Sequence, residues 1–160
     1  DLMCDLLLVR RLRPWHTNIG KRLVRTPKVY VRDSGLVHAL LNIDTTDALL
    51  SHMVVGASWE GYCIENILAC APDGIQAYFY RTSGGAEIDL LLLWPGNELW
   101  AIEIKRGHAP KVGRGFYSAC EDLNPTKKIV VSSGLDNYPL GDDVRVMSLE
   151  NVCQLLNSNI

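Results

Sequence analysis

Residues 83–106, SGGAEIDLLLLWPGNELWAIEIKR, restrict the fold more than any other stretch of the chain. Two apolar runs flank a Pro-Gly-Asn turn, which predicts a β-hairpin. Its charged residues gather at one end: Glu87 and Asp89 on the first strand, Glu103 and Lys105 on the second. A symmetric hairpin centred on Gly96 opposes Asp89 to Glu103, Glu87 to Lys105, Leu91 to Ala101 and Leu93 to Leu99. Residues i and i+2 share a strand face, so Glu87, Asp89, Glu103 and Lys105 are expected together. Ile88, Leu90, Leu92, Trp100, Ile102 and Ile104 are expected on the other face, and that apolar set pins the register. Two carboxylates about 5 Å apart repel by about 3 kcal/mol at an effective dielectric of about 20. Lys105, a bound cation, or both should offset that repulsion. A bulge in either strand would shift the opposition.

The 160 residues are enough for one domain with a sizeable core, and 48% hydrophobic against 21% charged residues is a globular composition. The chain reads as a single domain, with an N-terminal extension over 1–56, a core over 57–133, and a C-terminal strand and helix over 134–160. No run is long enough to span a membrane, and residues 6–9 are too short for a signal-peptide core. The chain begins at Asp1 without Met, and is read as a fragment of a longer protein. Five cysteines, at 4, 63, 70, 120 and 153, contain no C-x-x-C. They predict free thiols and a cytoplasmic location rather than a disulfide framework or a zinc site. The net charge of −2 hides an asymmetry: residues 1–32 carry eight Lys/Arg against two Asp/Glu, and the remainder eight against sixteen. A pI near 6.1 argues against indiscriminate nucleic-acid binding but leaves room for a local basic patch.

Taken in order, residues 2–12 have Leu2, Leu6 and Val9 at helical spacing, and Pro14 ends that helix. A basic loop, RPWHTNIGKRLVRTP, follows. Its Arg and Lys residues, interleaved with Trp15, suit phosphate and base contacts; the alternative is a solvated or domain-facing loop. Residues 28–31 form a strand. Asp33 or Ser34 caps a helix through about Leu41, and Thr45 or Thr46 caps a short one. A helix over 59–70 carries Glu60 beside its apolar stripe. Glu60 either faces the sheet or pairs with a Lys or Arg at the rim. Strand 76–81 leads through Gly84-Gly85 into the central hairpin. After Lys105 comes a basic loop with Arg106, His108, Lys111 and Arg114. A helix over 116–123, strands over 128–132 and 144–147, and a helix over 149–156 complete the chain.

This order, with Asp89 on the second core strand and Glu103-x-Lys105 on the third, resembles the PD-(D/E)xK nuclease superfamily. The resemblance implies an α/β fold with a restriction-endonuclease-like core (αβββαβ), its mixed central sheet flanked by helices. It implies a DNA phosphodiesterase whose catalytic residues are Asp89, Glu103, Lys105 and Glu60. Asp89, Glu103 and Glu60 would hold Mg²⁺ or Mn²⁺. Ile88 stands where the superfamily often has Pro. The structural alternative is a salt-linked cluster of Lys105 with Glu87 or Glu103. Expected DNA contacts are Arg10, Arg11, Arg13, Lys21, Arg22, Arg25, Arg106, Lys111 and Arg114.

Longer blocks carry a closer resemblance: PWHTNIGKRLVRTPKVYVRDSGLVHALL, VVGASWEGYCIENIL, FYRTSGGAEIDLLL and AIEIKRGHAPKVGRGFYSACEDL. They are similar to an uncharacterised domain found C-terminal to AAA+-type ATPase domains in bacteria and archaea. That implies a preceding ATPase domain as the first partner, with DNA as the second. This fragment has no G-x-x-x-x-G-K-[ST] and so does not bind ATP by that route. A non-catalytic module that binds DNA or protein and regulates the ATPase is the alternative function. A homodimer is compatible with either.

Overall fold

The computed structural model describes residues 1–16, 20–141 and 143–158. In chain order its elements are α1 (Leu2–Asp5), β1 (Val9–Pro14), β2 (Lys28–Val31), α2 (Ser34–Leu40), α3 (Thr46–Ser51), α4 (Val55–Cys70) and β3 (Gln76–Arg81). There follow β4 (Glu87–Leu93), β5 (Leu99–Ile104), α5 (Arg114–Leu123), β6 (Lys127–Ser132), β7 (Tyr138–Pro139), β8 (Val144–Ser148) and α6 (Leu149–Asn157). The strands make one mixed sheet in the order β2-β1-β3-β4-β5-β6-β8-β7. β3, β4 and β5 form an antiparallel meander, while β5, β6 and β8 run parallel.

The central strands are mostly apolar because both faces of the sheet are covered, with Asp89 and Glu103 as buried charged exceptions. On one face Leu90, Leu92, Trp100, Ile102 and Ile104 pack with Ile64 and Ile67 of α4 and with Val152 and Leu156 of α6. On the other, Leu91, Ala101 and Val130 pack with Phe116 and Ala119 of α5. Ile102 is fully buried at the centre of this arrangement. Ile102→Ala is expected to cost about 2–5 kcal/mol, read as a lower midpoint in urea unfolding.

The expected helix over 2–12 is only one turn long, and its second half is strand β1. Leu7 takes a φ of 59°, which ends the helix. Beyond it Leu12 and Pro14 are buried while Arg11 and Arg13 are exposed, a period of two that belongs to a strand. Val9–Leu12 pair with Val31–Lys28. The basic loop therefore begins inside β1. Its Trp15 is half-buried and meets Tyr78 edge-on at 5.0 Å, so it is a packing residue here. Thr17, Asn18 and Ile19 of that loop lie outside the described residues. Asp33 and Thr45 cap α2 and α3 as expected. Helix α4 starts at Val55, four residues before the expected start at 59. Strand β7, two residues long, has no counterpart in the sequence reading.

The hairpin register holds at Leu91–Ala101 and Leu93–Leu99, and the pairing stops at Leu90–Ile102. Against β3 the register slips: Tyr78 faces Leu91, but Tyr80 faces Ile88. β4 thus carries one extra residue, a β-bulge at Asp89-Leu90. The bulge moves Ile88 to the α5 side, with Leu91 and Phe116, and away from Leu90. The expected apolar face therefore holds for every member except Ile88.

Candidate functional site

The bulge reorients Asp89. Its Oδ2 accepts the backbone N–H of Ile104 at 3.0 Å, beyond the last ladder pair of the hairpin. Asp89 and Glu103 therefore come close without forming the expected cross-strand ladder pair. Asp89 Oδ1 lies 3.2 Å from the ammonium of Lys28. Lys28 opens β2, and Tyr30, two residues on, shares its face. Both reach Glu60 on α4: Lys28 Nζ donates to Glu60 Oε1 at 2.9 Å and Tyr30 Oη donates to the same oxygen at 2.5 Å. Gly61 permits this approach, since a Cβ there would sit 3.2 Å from the Tyr30 ring. Glu87 completes the group, with Oε1 3.2 Å from Lys28 Nζ and a second ion pair to Arg81.

Glu103 stands next to this cluster. Its Oε1 accepts from Lys105 Nζ at 2.6 Å. Its Oε2 is buried and has no hydrogen-bond partner among the described residues. Such an oxygen is costly to bury unless something binds it. The pairing of Lys105 with Glu103, and not with Glu87, realises the salt-linked alternative in part. Glu60 turns toward the sheet and is also salt-linked, which joins the two readings of that residue.

The protonation chemistry follows from burial and from these neighbours. Burial, then the charge of Asp89, pushes Glu103 up to about 7 despite Lys105. Burial and Glu60 raise Asp89 above its ordinary value, against the opposing pull of Lys28 and the Ile104 N–H. Burial alone would lower Lys28, but Asp89, Glu60 and Glu87 outweigh it and its pKa rises. Lys105 rises in the same way, chiefly through Glu103. Burial and Glu60 raise the Tyr30 phenol, which remains a neutral donor. Burial opposes the ionisation of Glu87, but Arg81 and Lys28 overcome it and its pKa falls.

Among the described residues no group of three or more His, Cys, Asp or Glu is disposed to hold a metal ion as it stands. The spacing is consistent with this. The three oxygens around Lys28 Nζ lie at 2.9, 3.2 and 3.2 Å, which suits an ammonium. Mg²⁺ needs oxygens at about 2.0–2.1 Å. The donor set, all carboxylate oxygen with one orphaned Glu103 oxygen, has the hard chemistry that Mg²⁺ or Mn²⁺ requires.

Lys28 and Tyr30 were not anticipated from the sequence. Their only local signal is a polar pair at i and i+2 in a short strand. Glu65 was likewise passed over, yet Arg10 and Arg32 both bind it, and they lower its pKa although burial opposes this. Arg10 is thus committed within the fold. Arg11 pairs with Asp1 at 3.6 Å and Lys21 with Asp122 at 2.5 Å. Arg13, Arg22, Arg25, Arg106, Lys111 and Arg114 are exposed and form no ion pair among the described residues. Four of these positions border two different grooves. Arg10, Arg11 and Arg13 border a groove of about 420 Å³ with 71–75. Arg106 and His108 border another of about 710 Å³ with Trp59 and Tyr62, on the same helix as Glu60.

The approach to β4 is held by a close contact. A Cβ on Gly115, in the first turn of α5, would overlap the carbonyl oxygen of Gly85. Gly115→Ala is expected to destabilise by about 1–3 kcal/mol, because backbone must move on one side or the other. Thermal unfolding measures this.

Fold and site together define a mixed α/β domain with a half-buried cluster of acidic and lysine side chains at the bulge of its central hairpin. The chain belongs to the family described as domain of unknown function DUF4143, matched over residues 55–152. Residues 1–47 match a second family, domain of unknown function DUF8612. The uncharacterized proteins Rv2008c of Mycobacterium tuberculosis and Mb2031c of Mycobacterium bovis are each 40% identical over 153 residues, covering 95% of this chain and 34% of theirs. The chain thus spans about a third of the length of these curated relatives. No solved structure matches the chain significantly. Among the described residues no helix is long and apolar enough to cross a membrane.

Proposed function

We propose that this chain is a metal-dependent, restriction-endonuclease-like domain that hydrolyses phosphodiester bonds of DNA. The element order α4-β3-β4-β5-α5-β6 and the placement of Asp89, Glu103 and Lys105 support it. The observation that carries the reading is the burial of two adjacent carboxylates, Asp89 at 8% and Glu103 at 7% exposure, with one Glu103 oxygen unpartnered. A domain needing only stability gains nothing from such a pair.

In this reading Asp89 and Glu103 hold Mg²⁺ or Mn²⁺, with Glu60 assisting. Such a metal would polarise the scissile phosphate and lower the pKa of a bound water, so that it gives up a proton to solvent and serves as the nucleophile. Lys105, fixed by Glu103, places a positive donor where charge develops on phosphate oxygens. The exposed Arg106 beside the larger groove contacts the DNA backbone. The five unpaired cysteines suit a cytoplasmic setting. The longer protein, in this proposal, carries an AAA+-type ATPase module that governs access to DNA.

The test is incubation of the full-length protein with Mg²⁺ or Mn²⁺ and linear, supercoiled, branched and single-stranded DNA. Cutting of at least one form is expected. Intact DNA in every case contradicts the proposal. One observation favours a second reading, a non-catalytic module that binds DNA and regulates the ATPase: Lys28 already occupies the acidic cluster. That reading predicts salt-sensitive DNA binding that falls on substitution of Arg22 or Arg25 and survives Asp89→Ala.

A further inference from the structure

We propose that Lys28 is a tethered cation that closes the acidic site, so that a divalent cation binds tightly only after Lys28 withdraws. The inference rests on the reading that Asp89 takes a divalent cation. An ammonium has three N–H donors, and Lys28 meets three carboxylate oxygens, one each from Glu60, Glu87 and Asp89. Nothing of its charge is left for an outside ligand. Its side chain is 15% exposed, so it is a built part of the cluster and not a passing surface contact. The three oxygens stand about 1 Å farther from the Lys28 nitrogen than oxygens stand from a bound Mg²⁺. Removing Lys28 leaves three carboxylates close together with only Arg81 on Glu87 and the Tyr30 hydroxyl on Glu60 to offset them, a state that a divalent cation relieves. Glu103 supplies an independent sign of a ligand: its side chain is only 9% exposed, yet Oε2 has no partner among the described residues.

The placement of Lys28 suits a movable device. β2 is the outermost strand on its side of the sheet. Its neighbour β1 pairs with β3 at Arg13–Tyr78 and Pro14–Phe79, and Leu23 after it bridges Thr82. Lys28 can therefore leave the cluster by rotating its own side chain at this edge, without breaking the central meander. Lys28 and Tyr30 also lie in the segment matched by one family, whereas Glu60, Glu87, Asp89 and Glu103 lie in the segment matched by another. The closing cation and the acidic site come from separate units of sequence.

The experiment is a Mn²⁺ titration of the full-length protein by calorimetry, paired with thermal unfolding in EDTA and in Mn²⁺. Lys28→Met is expected to bind Mn²⁺ at least about tenfold more tightly than the wild type, and Mn²⁺ should raise its unfolding temperature by more than it raises the wild type's. Where Lys28→Met alone fails to fold, Lys28→Gln, which removes the charge but keeps a neutral donor for the same carboxylates, carries the same expectation. Asp89→Asn added to either variant should abolish the gain. Equal Mn²⁺ affinity in wild type and variant, or no binding by either, overturns the proposal whatever the cleavage assay shows. Tighter Mn²⁺ binding without DNA cleavage supports the tethered cation and counts against the nuclease reading alone.

Discussion

Asp89→Asn and Lys105→Ala are each expected to lower the proposed DNA cleavage by the full-length protein by about 10²–10⁴-fold while the domain stays folded. The two substitutions act at different places. The amide of Asn keeps an oxygen for the Ile104 N–H, so the bulge retains its anchor. What is lost is the negative charge shared between Lys28 and the proposed cation. Lys28 keeps Glu60 and Glu87, which hold β2 against α4 and β4. Lys105→Ala leaves the carboxylates in place and removes the donor 2.6 Å from Glu103. The Lys105 side chain is 36% exposed, but its loss leaves the buried Glu103 without a charge partner, which favours the neutral acid at that position. Circular dichroism and unfolding temperature separate lost chemistry from lost fold. Cleavage that persists in both variants would remove these residues from the reaction.

Glu103→Gln makes the metal-free domain more stable at pH 8 and flattens its stability between pH 5 and pH 7. In the folded protein Glu103 titrates near 7, against an ordinary value of 4.5. The folded state therefore holds this proton more tightly than the unfolded chain does. Below pH 4.5 both states are protonated and the native state has its full advantage. As pH rises through the window from 4.5 to about 7, the unfolded chain releases the proton first, and stability falls. Above 7 the buried carboxylate is charged in both states and the advantage is gone. The gap corresponds to roughly 3 kcal/mol at most. Glutamine mimics the neutral acid at every pH, so the variant should lack this part of the slope. Urea unfolding in EDTA at pH 5 and pH 8 measures the difference. A wild type equally stable at both values, with a variant no better at pH 8, would mean that Glu103 is not held in this environment.

The features legible in the sequence are those set by neighbours in the chain. The Pro-Gly-Asn turn and two apolar runs mark the hairpin, and its outer register follows from symmetry about Gly96. Asp33 and Thr45 announce their helices by capping chemistry that spans three residues. Asp89, Glu103 and Lys105 could be placed near one another because the hairpin joins them. The bulge was hidden, since it arises where β4 meets β3 and not within the hairpin. β1 was mistaken for helix because Leu6 and Val9 fit a helical period before the Arg11-Leu12-Arg13-Pro14 alternation begins. Lys28 with Glu60 is a contact between residues 32 apart, and Arg10 with Glu65 between residues 55 apart. Contacts of that kind depend on which strand lies at the sheet's edge, which no local pattern states. The pairing with Lys28 is what changes the site from an open acidic pair into a filled one.

The most direct test of the cation site is anomalous diffraction from crystals of Lys28→Met soaked in Mn²⁺. The expected result is a single strong peak about 2.0–2.2 Å from a carboxylate oxygen of Asp89 and from one of Glu60, Glu87 or Glu103. A peak elsewhere, or no peak with Glu103 still on Lys105 and Asp89 still on the Ile104 N–H, would contradict it.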